Sequence, residues 1–421
     1  KQHLFAETNK ETLRRVLTPM EAVEGLLTES EFLGPISRST SPGYPWTLEK
    51  SRGKGKTKWL GSDDKYFISA DLSRAIQLRE KQARKGRRVA TIWTDVLKDE
   101  RRSIEKVQKK KTRVFSVGPQ DYTIVFRMYF LAFIAHIIAN RVHNEQSIGT
   151  NVYGKDWIMT AKKLQQKGDA VIAGDFSSFD GTLNTQIMWA FVGVANEWYN
   201  DGEVNARVRR VLFLDVVNAI HLCRDVFYSC DHSQPSGNPC TTILNSFYNS
   251  VSMRIVFNMQ VEGPRFKDVV SMVSYGDDNV VNIDSSVLHL FNQQTITEGY
   301  ARIGMTYTDE SKNTGETPLF RKIHEVSYLK RAFIREGSDW LCPQEFDATV
   351  ERINWYRQCP DPEYQILMNC SDTINELSYH GRDVFEKEVK RINAACLQEL
   401  GKLPDQRTFN QYRVDRYRDY M

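Results

Sequence analysis

The chain has no CxxC pair, no cysteine–histidine cluster, no internal repeat, no low-complexity tract and no linker of the kind that separates independent domains. Its seven cysteines, at 223, 230, 240, 342, 359, 370 and 396, therefore read as reduced thiols rather than zinc ligands or a disulfide frame. Long charge-free apolar runs are missing as well. The nearest approach is 122–140, but Arg127 and His136 interrupt it, and both are expensive in hydrocarbon. A helix buried inside the protein is expected there, not a membrane span. No signal-peptide pattern opens the sequence, which begins at Lys1. What remains, with 421 residues, 41% of them hydrophobic and 26% charged, is a globular protein of two or three subdomains around a large core.

A strong excess of either charge is absent too, since the net is only +4. The even total hides a split. Residues 50–113 hold 21 Lys and Arg against 8 Asp and Glu, a local +13, so the other 357 residues sum to −9. A basic block beside an acidic remainder suits a protein that grips a polyanion on one side and metal ions on the other. A merely solvated surface would carry the same charges. Motifs have to decide.

The pattern along the chain is mixed α/β. Short helices are expected at 11–17 and 19–28, then a bent loop at Thr40-Ser41-Pro42-Gly43-Tyr44-Pro45-Trp46, where two prolines and a glycine exclude regular structure. A Gly/Lys-rich loop at 51–61 and a basic helix at 71–88 follow. The apolar run 170–174 reads as a buried strand leading into Asp175. Residues 269–274 and 279–283 are β-rich and flank Tyr275-Gly276-Asp277-Asp278, which reads as a hairpin. The last stretch, about 335–421, has helical periodicity, clearest at 383–400.

Two adjacent carboxylates at a hairpin tip repel unless a cation joins them. Asp175 at a strand end meets Asp277 and Asp278 if the two strands are neighbours, and such a set fits Mg²⁺, which takes oxygen ligands. Nucleotidyl transfer needs little else from a protein, because charge neutralisation and in-line positioning dominate its barrier. Alone, Gly-Asp-Asp is as readily an ordinary turn.

It is not alone. Asp175-Phe176-Ser177-Ser178-Phe179-Asp180, then Ser236-Gly237-Asn238-Pro239-Cys240-Thr241-Thr242-Ile243-Leu244-Asn245, then Tyr275-Gly276-Asp277-Asp278 resemble, in order and spacing, motifs A, B and C of positive-strand RNA virus polymerases. Lys98-Asp99-Glu100-Arg101-Arg102 with Lys106 and Lys111-Thr112-Arg113 is similar to motif F, and the loop from Thr40 to motif G. Residues 304–312 resemble motif D, and Tyr328-Leu329-Lys330-Arg331 the motif E primer grip. The likeness runs from about 38 to 333. It points to the picornavirus-like polymerases, and within them to those of the insect-infecting dicistroviruses.

The resemblance implies an α/β (α+β) right hand whose palm is built on an antiparallel sheet. Residues 1–168 would be mainly fingers with motifs G and F, 169–190 palm with motif A, 191–230 an insertion between fingers and palm, 231–334 palm with motifs B to E, and 335–421 a helical thumb. It implies template-directed RNA synthesis from ribonucleoside triphosphates, starting from an RNA 3′-end or a genome-linked protein primer. Partners would be template and product RNA and other viral replication proteins, in host cytoplasm at membrane-associated replication complexes.

The same resemblance assigns roles. Asp175 and Asp277 would hold two Mg²⁺ or Mn²⁺ ions with Asp278 as auxiliary ligand, and Lys312 would protonate the leaving pyrophosphate. Arg102 and Lys106 would offset triphosphate charge, and Arg113 would also stack on the base. Asp180, Thr241 and Asn245 would recognise the ribose 2′-hydroxyl, with Ser236 in a mobile loop beside them. Thr40 and Ser41 would touch template phosphates, and Lys98, Lys330 and Arg331 would contact RNA. Bland readings stand beside these: Thr241 and Asn245 are four apart, as on any helix face, and Lys109 and Lys110 suit a solvated RNA-facing surface. Only 39 residues precede Thr40, fewer than the family's usual lead, so fingers-to-thumb closure stays open. The enzymatic rival is a reverse transcriptase, which usually has an aromatic gate where this chain has Asp180. A non-catalytic RNA-binding protein using 50–113 alone would leave the three aspartates without purpose.

Overall fold

The computed structural model describes residues 13–49, 55–62, 65–311, 317–337 and 339–418. At its centre is a four-stranded sheet in the order Thr306–Asp309, Ala170–Ser177, Asp278–Ile283, Val270–Tyr275, antiparallel throughout. Both faces of this sheet are covered, so its strands read as continuous apolar runs. The alternation is still visible in what each side chain meets. Ile172, Phe176, Met272 and Val281 join the main core, while Val171, Ala173, Val273 and Val280 pack with Trp157 and Phe333 on the other side. Helices Thr241–Asn258 and Gln293–Arg302 lie on the main-core face.

A second four-stranded sheet has the order Val114–Val117, Ile92–Leu97, Ile220–Cys223, Val226–Ser229. Its middle pair is parallel, which ties the segment near 92 to one that lies more than a hundred residues later. The helix Gln120–Ala139, long and apolar enough by composition to cross a membrane, packs against other helices and is buried in the core. A helix apolar all round belongs inside. Arg127 is accommodated there by donating to Ala22 O at 2.7 Å.

The basic helix expected at 71–88 is Ala70–Arg84. Not all of its charge faces outward. Arg79 is buried, donating to both Asp121 Oδ2 (2.8 and 2.9 Å) and Thr91 Oγ1 (2.8 Å). The opening differs from expectation. Residues 13–17 are not helical, residues 11 and 12 lie outside the described ones, and the helix expected at 19–28 is only Pro19–Glu24. Thr18, just before a proline, is pushed to extended backbone (φ −67°, ψ 160°), and Gly25 at φ +75° ends the helix. Part of the Gly/Lys-rich loop at 51–61 also falls outside the described residues.

Toward the C-terminus, Pro362–Leu377 and Arg382–Leu400 pack around Cys370, Ile374, Leu377, Phe385, Ile392 and Cys396. Asp361 caps the first by accepting from Tyr364 N at 3.0 Å, with Pro362 at the first helical position. All seven cysteines are thiols.

Candidate active site

Strands Val270–Tyr275 and Asp278–Ile283 pair to their last residues, Tyr275 opposite Asp278, leaving Gly276-Asp277 as a two-residue turn. Gly276 takes φ +65°, a conformation in which a side chain is strained. On the neighbouring strand Gly174 pairs with Asn279, so Asp175, one residue on, stands beside the tip. Tyr307 crosses closely over Gly174: a Cβ there would lie 1.9 Å from the ring, whose hydroxyl donates to Asn279 Oδ1 at 2.9 Å. The turn is clamped from the Thr241–Asn258 helix. Gly276 N donates to Ser246 Oγ at 2.8 Å, and Asn249 Nδ2 donates to Gly276 O (3.2 Å) and Asp277 O (3.0 Å).

Asp180 arrives by a sharp reversal. Ser178 adopts φ 54° and Phe179–Gly181 forms a single 3-10 turn, the bend at Ser177-Ser178 that folds Asp180 back toward the tip. The Asp277 carboxyl is held above the ordinary range, first by dehydration against the surrounding protein and then by the charges of Asp180 and Asp175, which the Arg113 charge opposes. The Asp277 carboxyl thus lies in the field of two others. Among the described residues no three acidic, histidine or cysteine groups close tightly enough to enclose an ion by themselves. That suits Mg²⁺, which is commonly held by one or two carboxylates and completes its shell with substrate phosphates and water. The all-oxygen donor set and the repulsion at Asp277, which Arg113 offsets only in part, both fit a divalent cation.

Asn245 Nδ2 donates to Asp180 Oδ1 at 2.8 Å, so the two proposed sugar readers are in contact. Thr241 is turned away from them. Its hydroxyl donates to Asn238 O at 2.8 Å and lies 3.2 Å from Ser236 O, stapling the loop that leads into the helix. Ser236 Oγ accepts from Ser116 N at 3.1 Å, and Gly237 sits so close to that strand that a Cβ would lie 1.9 Å from Ser116 O.

Three cations of the basic block converge on Glu100. Arg113 Nε donates to Oε1 at 2.7 Å and a second guanidinium nitrogen bonds Oε2; Arg102 Nε lies 3.1 Å and Lys98 Nζ 3.9 Å from that carboxylate. The hydrogen bond from Arg113 lowers the Glu100 carboxyl to about 2. Arg113 is also within the field of Asp277. Lys106 is exposed on the short helix Ile104–Gln108 and is not drawn into this cluster. Lys312 lies outside the described residues.

At the Thr40 loop, both side chains are exposed but bonded inward. Thr40 Oγ1 donates to Ser37 O at 3.2 Å and accepts from Lys56 Nζ; Ser41 Oγ accepts from Gly43 N at 3.2 Å. Lys56 also donates to Ser37 O and Thr40 O, both at 3.2 Å, and burial lowers its ammonium to about 8. Lys330 is exposed in the turn of the small hairpin Ser327–Tyr328 and Arg331–Ala332. Arg331, expected at the RNA, is instead turned into the protein. It is buried against Glu376 (2.8 and 3.1 Å), Cys342 O (2.6 Å) and Tyr153 Oη (2.9 Å), because its turn aims it at the helix Pro362–Leu377.

Sequence reasoning passed over Glu100 as a partner, Gln234, and the clamp formed by Ser246 and Asn249. Only the clamp had a signal, since Ser246 and Asn249 lie three apart on the helix that carries Asn245.

A family model described as "Viral RNA-dependent RNA polymerase" matches residues 3–397. The replicase polyprotein of Acute bee paralysis virus (strain Rothamsted) is 46% identical over 424 residues, covering 97% of this chain and 22% of that protein. That of Drosophila C virus (strain EB) is 38% identical, over 97% of this chain and 24% of that protein. The replicase polyprotein of Cricket paralysis virus is also 38% identical, over 96% and 24%. The chain therefore spans about a quarter or less of the length of these curated relatives, which are the insect-infecting viruses that its motifs resemble. Among solved structures, "Sicinivirus 3Dpol RNA dependent RNA polymerase" superposes with a TM-score of 0.80 at 20% identity, over 99% of this chain and 84% of that one. That likeness establishes the right-hand fold with its antiparallel palm. The match along the sequence establishes the rest: this chain belongs to the viral RNA-dependent RNA polymerase family.

Proposed function

We propose that this chain adds ribonucleoside triphosphates to an RNA 3′-end, or to a genome-linked protein primer, as directed by an RNA template. The observation that carries the reading is Asp277 set among Asp175 and Asp180 at a clamped hairpin tip, with Arg113 in range. Asp175 and Asp277 hold two Mg²⁺ or Mn²⁺ ions, with Asp278 beside them. Bound there, such ions neutralise charge and lower the pKa of an attacking hydroxyl. Arg113, Arg102 and Lys98, gathered now by Glu100, exchange that carboxylate for the incoming triphosphate. Asp180 and Asn245 read the sugar. Lys312 remains the proposed proton donor to pyrophosphate, and Lys106 a more distant cation.

The parallel pairing of Ile92–Leu97 with Ile220–Cys223 supports taking 1–168 and 191–230 together as fingers. The single sheet shared by 170–177, 270–283 and 306–309 supports 169–190 and 231–334 as palm, and the paired helices after 361 support 335–421 as thumb. The family reading extends to other viral replication proteins as partners and to membrane-associated complexes in host cytoplasm as the place of work.

Asp277→Asn tests the assignment. Because the carboxyl's pKa is raised, its charge at neutral pH opposes folding, an opposition relieved only as pH falls through that raised value. The variant is expected to melt no lower than wild type without metal, to gain nothing from added Mg²⁺ where wild type gains, and to lose extension of primed RNA. Extension at the wild-type rate would sink the metal assignment.

A further inference from the structure

Gln234 lies two residues before Ser236, in the loop leading into the helix Thr241–Asn258, and only 4% of it is exposed. None of the seven motifs gives it a role. Yet its bonds go to the sugar-reading pair. Its N–H donates to Asp180 O at 3.2 Å, and Nε2 donates to Asp180 Oδ1 at 3.3 Å and to Asn245 Oδ1. Its Oε1 has no partner among the described residues.

The chemistry of amides gives this arrangement a purpose. A carboxamide presents an acceptor at one end and a donor at the other, and the two ends have nearly the same shape. Asn245 by itself could offer either end to a ligand. An ionised Asp180 only accepts, so the end of Gln234 that faces it must be Nε2. Nε2 only donates, so the atom of Asn245 that faces Gln234 must be Oδ1. Asn245 Nδ2 is then the end that faces Asp180, as observed at 2.8 Å. Among the described residues these bonds do not use one N–H of Asn245 or the second oxygen of Asp180, which leaves a donor and an acceptor. A hydroxyl both accepts and donates, and it fits that pair.

We propose that Gln234 is a specificity-determining positioning residue: by holding the oxygen end of the Asn245 amide while Asp180 holds the nitrogen end, it keeps Asp180 and Asn245 complementary to the ribose 2′-hydroxyl. The inference rests on the polymerase reading above, and it goes beyond it in giving sugar selection to a third, buried side chain. Without Gln234 the Asn245 amide keeps its bond to Asp180 but loses the second one that holds its other end, so it is held less firmly and the bonus for a 2′-hydroxyl shrinks. Incorporation of a deoxyribonucleotide, which never received that bonus, stays as it was.

The experiment measures kcat/KM for ATP and dATP on one primed RNA template with wild type, Gln234→Met and Gln234→Glu, each checked by thermal melting. Gln234→Met keeps the length and removes the donor. Gln234→Glu keeps the shape, so it decides the matter if the Met variant is unfolded. The expected result is a fall of about tenfold in the ATP/dATP ratio for both, all of it in the ATP value. In an Asn245→Ala background, Gln234→Met should change the ratio no further. A ratio within twofold of wild type in both variants overturns the inference, and so does a parallel loss with ATP and dATP, which is what a packing role alone would give. In those cases wild-type extension leaves the polymerase reading standing. A wild-type chain that fails to extend primed RNA overturns both.

Discussion

Lys56 marks the limit of reading single residues from a sequence. In a run of lysines and glycines it looks like one more RNA-facing charge, whereas the fold buries it as the clamp on the Thr40 loop. Nothing local announces this, because its partners are carbonyls and a hydroxyl at 37–40. Arg79 and Arg331 are the same case: their carboxylate partners, Asp121 and Glu376, stand 42 and 45 residues away. Asp175, Asp180 and Asp277 stood out only because three motifs follow one another in family order; Gly-Asp-Asp alone is as readily an ordinary turn. The Lys56 ammonium titrates near 8 when folded, against 10.5 for an ordinary lysine. From pH 8 to 10.5 the folded chain sheds this proton before the unfolded chain does, so stability from this group rises with pH, by up to roughly 3 kcal/mol. Below pH 8 there is no such gain. In Lys56→Met that rise should vanish, so the stability of wild type minus that of the variant should grow between pH 8 and 10. Denaturant titrations across that range would show it, and a flat difference would rule it out.

Elements were more legible than residues wherever pattern and turn chemistry agreed. The strand into Asp175, the hairpin and the helix near 383–400 follow from apolar runs bounded by glycine or charge, and the structure has all three. The early helix expected at 11–17 is absent from its described part, and the first helix begins instead at Pro19, with Thr18 as its cap. The pairing of elements was hidden. The spacing of Ser246 and Asn249 puts them on one helix face, but it does not say that this face will hold the hairpin by Asn249, which is fully buried. Asn249→Ala should leave two carbonyls without their donor, at a cost of about 1–3 kcal/mol, and loosen the carboxylate between them. We expect kcat for single-nucleotide addition to fall about tenfold or more with RNA affinity retained, and Asn249→Asp, which cannot donate there, to do no better. Rapid-quench kinetics giving wild-type kcat for the Ala variant would remove the clamp from the catalytic argument.

For the whole molecule the charge split was visible and its meaning only half so. Part of the basic block holds the fold together through Arg79, and part surrounds Glu100 near the aspartates. These fractions should separate in solution. Lys109→Ala with Lys110→Ala should weaken RNA binding and flatten its salt dependence while sparing KM for nucleotide; Arg113→Ala should do the reverse. If the two variants behave alike in filter-binding and kinetic assays, the block is a single undifferentiated surface. The helix Pro362–Leu377 is fastened by a different device, the buried pair of Arg331 with Glu376. Arg331→Ala leaves Glu376 uncompensated and should cost about 3–5 kcal/mol in a denaturant titration, whereas Arg331→Met with Glu376→Leu should recover most of it. Equal stability of all three would show that the pair is incidental. The central sheet, finally, has an order in time. The strand bearing Asp175 is flanked by Asp278–Ile283 and Thr306–Asp309, so both its edges wait for partners at least 101 residues further along. At about 5–20 residues per second, a ribosome leaves it bare for roughly 5–20 s. A nascent chain released in that interval carries an apolar strand with two open edges and no catalytic centre, so truncation yields a sticky fragment and never a weaker enzyme.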